Sequence, residues 1–252
     1  MPPSKIFIVP FRDRDSHKLF FERYMKFILE EYEPKSYEIF FSHQKDTRKF
    51  NRGAIKNIGF LAMKEKYPNN YKDITFIFND VDTIPYDKNV VSYETTVGKI
   101  THHYGVDFTL GGIVVIKGAD FEKINGYPNY WEWGAEDNGL QTRANQHKII
   151  IDRSNFFRIG DKRILQLFDG VTRQFNLNNI DRVEHDMGGD GIRTIRNIKY
   201  KIENDMIQIT DFKVPLKDDE KEVIRYDIRK GHKIHKNDYL GRRKPRMKMN
   251  FS

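Results

Sequence analysis

Apolar and polar positions along the chain follow two periods, one near two residues and one near three and a half. KIFIVP (5–10) is a short apolar run stopped by Pro10 and predicts a buried strand. Phe20, Phe21, Tyr24, Met25, Ile28, Leu29 and Tyr32 then recur at three- and four-residue spacings. They predict an amphipathic helix, capped by Asp15 or Ser16 and closed by Pro34. SYEIFFSH (36–43) predicts a second strand, and residues 51–68 a second helix, weakened by Gly53 and Gly59 and ended by Pro68. DITFIF (73–78) is a third strand running straight into NDVDTIP, and GGIVVIKG (111–118) a fourth. ADFEKINGY predicts a short helix stopped by Gly126, EDNGLQTRANQHK (136–148) another helix, and KIIID a further strand. NIKYKIENDMIQITDF (197–212) alternates around Asn204-Asp205, a hairpin signal.

Strands alternating with helices predict an α/β fold, a mostly parallel central sheet with helices on both sides. Ligands of such sheets sit beyond the carboxyl ends of the strands. Two predicted strands lead straight into polar clusters there, FRDR after the first and NDVD after the third. The composition shifts after residue 213 to a charged segment with few apolar positions. The expected organisation is one domain over 1–213 and a basic, partly disordered tail over 214–252.

With 252 residues the chain can bury the core of one substantial domain. Its net charge of +8 fits an anionic partner, whether nucleic acid, a membrane surface or a phosphorylated small molecule, or simply a solubilising surface. The absence of cysteine excludes disulfides and thiolate metal sites and permits a reducing compartment. No apolar run approaches the ~18 residues of a membrane span, and the first residues carry no signal-peptide pattern. The expectation is a soluble, cytoplasmic protein; its many Lys, Asn and Ile fit a microbial or viral source with an AT-rich genome.

Asp80 and Asp82 are two apart at a strand end, so in extended chain both carboxylates point the same way. Adjacent carboxylates call for a cation, and hard oxygen ligands suit Mg²⁺ or Mn²⁺ completed by substrate phosphates. The competing reading is an ordinary turn after a strand. Arg12 and Arg14 offer forks that match phosphate oxygens, or a capping loop with surface charge. Arg52 stands at a helix start, where backbone N–H groups favour anions; alone it reads as an ordinary helix start.

WEWGAEDNG (131–139) crowds two tryptophans, a glycine and two acids together. Glu136 and Asp137 can simply offset a helix dipole. Beside Trp131 and Trp133 they also fit a general base facing a ring-shaped acceptor. Most of the eight histidines read as surface residues; His102 and His103 would point apart, and His185 is a lone candidate.

Taken in order, FIVPFRDR, FNRGAIKNIGF, FNDVDTIP and GGIVVIKGADFEKINGYPNYWEWGAEDN resemble the β-1,4-galactosyltransferase family. That pattern is PFRNR, FNRAKLLNVGF, a DVD triplet and GG…FxxINGFxNxYWGWGGEDDD, and the similarity runs from about residue 5 to about 210, through IDRVEHD and the closing hairpin. The resemblance implies a GT-A fold that binds a UDP-sugar and transfers galactose, with inversion, to a glycan or glycoprotein acceptor. By position, Pro10, Phe11, Arg12 and Arg14 resemble the uridine and phosphate loop, and Arg52 the nucleotide-contacting arginine. Asp80, Val81 and Asp82 resemble the donor and metal triplet, with Asp82 the Mn²⁺ ligand. Trp133 resembles the mobile-loop tryptophan, Glu136 a sugar-binding acid and Asp137 the catalytic base. Lys99 falls near the donor-side lysine by counting back from Gly112.

Three departures stand out. Counting back from IDR puts Leu167 where the family has a metal-binding histidine, which leaves Asp82 and phosphate, help from His185 or Asp169, or a dispensable metal. Asn138 stands where a third acid is common, and Glu132 replaces the glycine between the tryptophans, which should stiffen the loop. A UDP-N-acetylhexosamine donor is the second enzyme reading, with the small Thr109 lining the donor pocket. A non-catalytic binder of glycan or nucleic acid is the reading from another class. The basic GRRKPRMK (241–248) favours it; the retained arginines, Asp82 and Asp137 argue against it.

Overall fold

The computed structural model describes residues 2–170, 172–218, 223–227, 229, 234 and 235. In chain order its elements are β1 (Lys5–Phe11), α1 (Asp15–Ile28), β2 (Tyr37–Gln44), α2 (Arg52–Lys66), β3 (Thr75–Asn79), β4 (Thr83–Pro85), β5 (Lys99–Gly105), β6 (Ile113–Lys117), α3 (Gly118–Lys123), α4 (Glu136–Gln146), β7 (Ile150–Asp152), β8 (Phe157–Arg158), β9 (Ile164–Gln166), β10 (Thr172–Asn176), α5 (Asn178–Glu184), β11 (Arg196–Glu203), β12 (Met206–Lys213) and β13 (Val223–Asp227).

β1 is buried along its whole length and alternates between two cores. Ile6 and Ile8 pack with Ala54, Ile55 and Ile58 of α2 and with Phe76 and Phe78 of β3. Phe7, Val9 and Phe11 pack on the other face with Phe21, Met25 and Ile28 of α1. A strand buried on both faces reads as a continuous apolar run, which is why KIFIVP was legible. The helices therefore cover both faces of the sheet, as expected.

The main sheet runs β11-β12-β2-β1-β3-β6-β5-β7, with β8 also on β5. β1 pairs in parallel with β2 and β3, β2 with β12, and β5 with β7 and β8. The antiparallel pairs are β3–β6, β5–β6 and β11–β12, so the sheet is mostly parallel. β11 and β12 form the expected hairpin, with Asn204 in the left-handed conformation at its turn.

Several expectations are corrected. α1 begins at Asp15 with Arg14 as its N-cap, and no side chain caps it. His102 and His103 are fully buried in β5 rather than on the surface. The segment after residue 213 is not wholly a tail: β13 pairs antiparallel with β10, and Tyr226 is buried. GRRKPRMK (241–248) lies outside the described residues.

Candidate active site

The ends of β1 and β3, the start of β6 and the end of β5 meet at one rim of the sheet, because β6 is antiparallel to both β3 and β5. The N-termini of α2 and α4 point into the same rim. α2 is held by Asn51, whose side chain accepts from the Ala54 N–H at 2.9 Å and donates to the Asn129 carbonyl at 3.0 Å. Asn57 reads the same segment, donating to the Tyr127 carbonyl at 2.7 Å and accepting from the Tyr127 N–H at 2.9 Å. A Cβ on Gly53 would lie 2.0 Å from the Pro128 carbonyl oxygen, so the close approach requires glycine. INGYPNYW is thus clasped to α2, and α4 follows with its acids aimed at Arg52.

A cleft of about 530 Å³ occupies this rim. Arg52, Asp80, Asp82, Trp133, Glu136, Asp137, Asn138 and Thr109 all line it, so most of the residues singled out from sequence converge there. The buried Arg52 guanidinium bridges three carboxylates: it contacts Asp80 and Glu136 and donates to Asp137 Oδ2 at 2.7 Å. The buried Lys56 donates to Asp137 Oδ1 at 2.9 Å and lies 4.2 Å from the centre of the Tyr127 ring. Burial disfavours the Arg52 charge, but the carboxylates of Asp137, Asp80 and Glu136 outweigh it and hold Arg52 firmly protonated. Burial also pushes Asp137 up, but Arg52 and Lys56 prevail and hold it below the ordinary carboxylate range. Glu136 goes the other way, raised by burial and then by the neighbouring Asp137 charge.

Asp82 is raised by burial and next by Asp80, and it accepts one hydrogen bond, from Thr83 Oγ1 at 3.1 Å. Among the described residues it makes no ion pair, and no group of three or more His, Asp or Glu is placed to hold a metal ion. The Leu167 N–H donates to the Asp82 carbonyl at 2.8 Å, where β4 and β9 pair, so residue 167 does stand beside Asp82 and offers no ligand. His185 is exposed at the end of α5, its Nδ1 bonded to the Asp181 carbonyl at 2.8 Å, and does not line the cleft. Asp169 is held by Arg14 and by Arg173, the latter at 3.3 Å. One unpaired carboxylate suits a hard divalent cation that takes the rest of its shell from substrate phosphates and water.

The first-strand residues serve differently from one another. Pro10 and Phe11 are buried at the end of β1, with Phe11 edge-on to Phe41 and His43. Arg12 spends its guanidinium on the Arg48 and Asp46 carbonyls at 2.6 and 2.9 Å. Arg14 lies close enough to Asp82 and Arg173 to feel both charges. Val81 is a core residue. Lys99 is a correction: it starts β5, paired with Asp152 at 3.4 Å, whereas Tyr104 and Gly105 at the other end of that strand line the cleft. Counting from Gly112 fixed a separation along the chain, not the direction of the antiparallel strand.

Trp131 is also a core residue, donating from its indole N–H to the Leu216 carbonyl at 2.7 Å and stacked on Phe212. Trp133 alone faces the cleft. Glu132, Gly134 and Ala135 around it all have positive φ, at 70°, 103° and 71°. Glu132 also pairs with Lys49 at 2.9 Å. Sequence reasoning missed Lys56, Gly111, Arg173 and Tyr226. Lys56 carried the signal of a lysine on the otherwise buried face of α2, and Gly111 that of the GG pair before β6; Arg173 and Tyr226 carried none.

The comparisons with known proteins bear on this cleft. Residues 3–94 match the model of the N-terminal region of glycosyl transferase group 7, and residues 92–166 match that of the N-terminal domain of galactosyltransferase. The chain belongs to the β-1,4-galactosyltransferase family. It is 33% identical over 158 residues to β-1,4-galactosyltransferase 4 of Cricetulus griseus, covering 59% of this chain and 44% of that protein. It is 30% identical over 202 residues to β-1,4-galactosyltransferase 2 of Mus musculus, covering 75% and 53%. The chain thus spans about half the length of these curated relatives. The catalytic domain of Drosophila β-1,4-galactosyltransferase 7, solved with xylobiose, superposes with a TM-score of 0.65 at 22% identity over 82% of this chain and 94% of that one, which establishes the GT-A fold. No helix among the described residues is long and apolar enough to cross a membrane.

Proposed function

We propose that this chain transfers galactose, with inversion, from UDP-galactose to a glycan acceptor. The observation that carries the reading is the cleft in which Arg52 gathers Asp80, Glu136 and Asp137 within a family of galactosyltransferases. A related Drosophila enzyme, in mutant form, has been solved with manganese, UDP-Gal and xylobiose together. Asp137 takes the proton of the acceptor hydroxyl, whose oxygen bonds to the anomeric carbon. The bond from that carbon to the diphosphate breaks on the opposite face, and its electron pair leaves with UDP. Asp82, with the donor phosphates, would hold Mn²⁺, which supplies charge neutralisation to the leaving diphosphate. Arg14 and Arg173 lie beside Asp82 and serve the same phosphates.

As it stands Asp137 is a weak base, because Arg52 and Lys56 both stabilise its ionised form. An entering diphosphate competes for Arg52 and leaves Asp137 with Lys56 alone, so proton affinity rises when donor is bound. A UDP-N-acetylhexosamine donor is the second reading, supported by Thr109 in the wall of the cleft. A binder without turnover has no use for a base held next to an anion site.

Calorimetric titration of UDP tests the anion site. With a single carboxylate free for metal, Mn²⁺ alone binds weakly and UDP binds at least about tenfold more tightly with Mn²⁺ than with EDTA. UDP binding indifferent to metal would assign the diphosphate to the arginines, and no binding in either buffer would remove the transferase reading. A panel of UDP-sugars with wild type and Asp137→Asn then tests donor and base.

A further inference from the structure

The cleft has two halves. Arg52, Asp80, Asp82, Glu136 and Asp137 make one charged, with the buried Lys56 behind Asp137; Trp133, Phe175, Ile180, Val183, Tyr226 and Ile234 make the other apolar. The apolar half depends on residues beyond the stretches that match the family models. β10 and β13 form a two-stranded sheet of their own, with Phe175 opposite Ile224 and Arg173 opposite Tyr226. Trp133 is tied to that sheet: its N–H donates to the Gln174 carbonyl at 3.1 Å. Its ring stacks on Tyr226 at 5.6 Å and 19°, and meets the edge of Phe175 at 5.8 Å. A Cβ on Gly134 would lie 2.0 Å from the Phe175 ring, so the loop closes tightly on the same residue. Tyr226 is 3% exposed, far from the behaviour of a tail residue.

We propose that Tyr226, on the strand 223–227, is a positioning residue that fixes the Trp133 ring and so completes the acceptor side of the cleft. The assignment rests on the transferase reading above for what the wall binds, and on geometry alone for how Trp133 is held. The ion-paired core of the charged half is built without β13, since Arg52, Lys56, Asp80, Glu136 and Asp137 bond to one another across α2, the end of β3 and α4; Arg173, opposite Tyr226, is the one charged group on the β10–β13 sheet beside Asp82. Loss of the stacking partner should therefore divide the two substrates.

The test uses the full chain with Trp131→Phe, which leaves Trp133 as the only tryptophan, excited at the red edge where tyrosine does not absorb. Tyr226→Ala should raise acrylamide quenching of Trp133 severalfold and leave UDP affinity within about threefold. Tyr226→Phe, which keeps the ring, should restore the wild-type quenching. A chain ended after Asp218 should show the same rise in quenching as Tyr226→Ala. In transfer from UDP-galactose to xylobiose, Tyr226→Ala should raise acceptor KM at least about tenfold with donor KM unmoved, as misplacement of a positioning group does. Quenching that is unchanged in Tyr226→Ala, or UDP affinity that falls in parallel with it, would overturn the proposal. Failure of the wild type to bind UDP would instead count against the transferase reading, and the quenching contrast would still decide whether Tyr226 holds Trp133.

Discussion

Asp137 meets two cations through its two oxygens, and each has a separate consequence. Because the folded state holds it below its ordinary value, it contributes stability that is present above about pH 3.9 and is lost as pH falls through the lower folded value. The same shift places any acid limb due to Asp137 below the usual carboxylate range. Lys56→Met removes one cation at similar volume and should move that limb of the kcat/KM profile to higher pH. A profile identical to wild type would mean that Asp137 is not the group titrating. Gly111 offers a steric test of the same atom. A Cβ there would lie 2.5 Å from Asp137 Oδ2, so the carboxylate must move to admit it. Gly111→Ala should lower transfer about a hundredfold by displacing the base, with little change in thermal stability. Equal loss of both would show a folding defect instead.

At the scale of elements, β5 shows what periodicity does not capture. KITHHYG has polar residues where a strand core is expected, yet His102 and His103 are fully buried. Their rings are satisfied locally. His102 Nε2–H donates to the Tyr104 and Gly111 carbonyls, each at 2.9 Å, and Nδ1 accepts from Arg153 Nε at 2.9 Å. His103 bonds to the Ser92 and Asn155 carbonyls. The imidazole of His102 acts as a neutral spacer that clamps the loop carrying Gly111 to the end of β5. Burial, followed by the Arg153 charge, lowers its pKa to about 4. A depressed value means stability present above pH 6.5 and lost as pH falls towards 4, up to about 3 kcal/mol from this one group. Urea titrations across that window should show the loss, and His102→Gln should flatten it; a slope unchanged in the variant would assign it elsewhere. By contrast β1, α2, β3 and the closing hairpin were legible, because their apolar faces are continuous or strictly periodic. The acids and Arg52 stood out through the resemblance to the galactosyltransferase pattern, since by themselves they also read as a turn, a helix dipole and an ordinary helix start. Arg173 and Tyr226 were not legible, because a separate two-stranded sheet between distant segments carries them to the cleft, and nothing local records that pairing.

Across the whole molecule, the change in composition at residue 213 marks where charge rises, not where packing ends. Leu216 and Asp218 lie beyond it and still serve the main body. The Leu216 carbonyl accepts the indole N–H of the buried Trp131, and Asp218 Oδ2 accepts the Lys49 N–H at 2.9 Å. Arg48, stacked over Phe212 at 4.4 Å and 5.2 Å from the Trp131 ring, completes the junction. A chain ended after Lys213 would bury a donor with no acceptor, at a cost of about 1–3 kcal/mol. For a protein of this size each kcal/mol lowers Tm by roughly 2–4 °C. A chain ended after Asp218 keeps both hydrogen bonds. It should melt within about a degree or two of a chain that retains β13, because β13 belongs to the separate apolar cluster around Phe175. Thermal denaturation of the two truncations distinguishes a fold that closes at 213 from one that closes at 218. Equal Tm values for both would return the boundary to 213, whereas a drop confined to the shorter chain places residues 214–218 in the core unit and leaves β13 to the cleft.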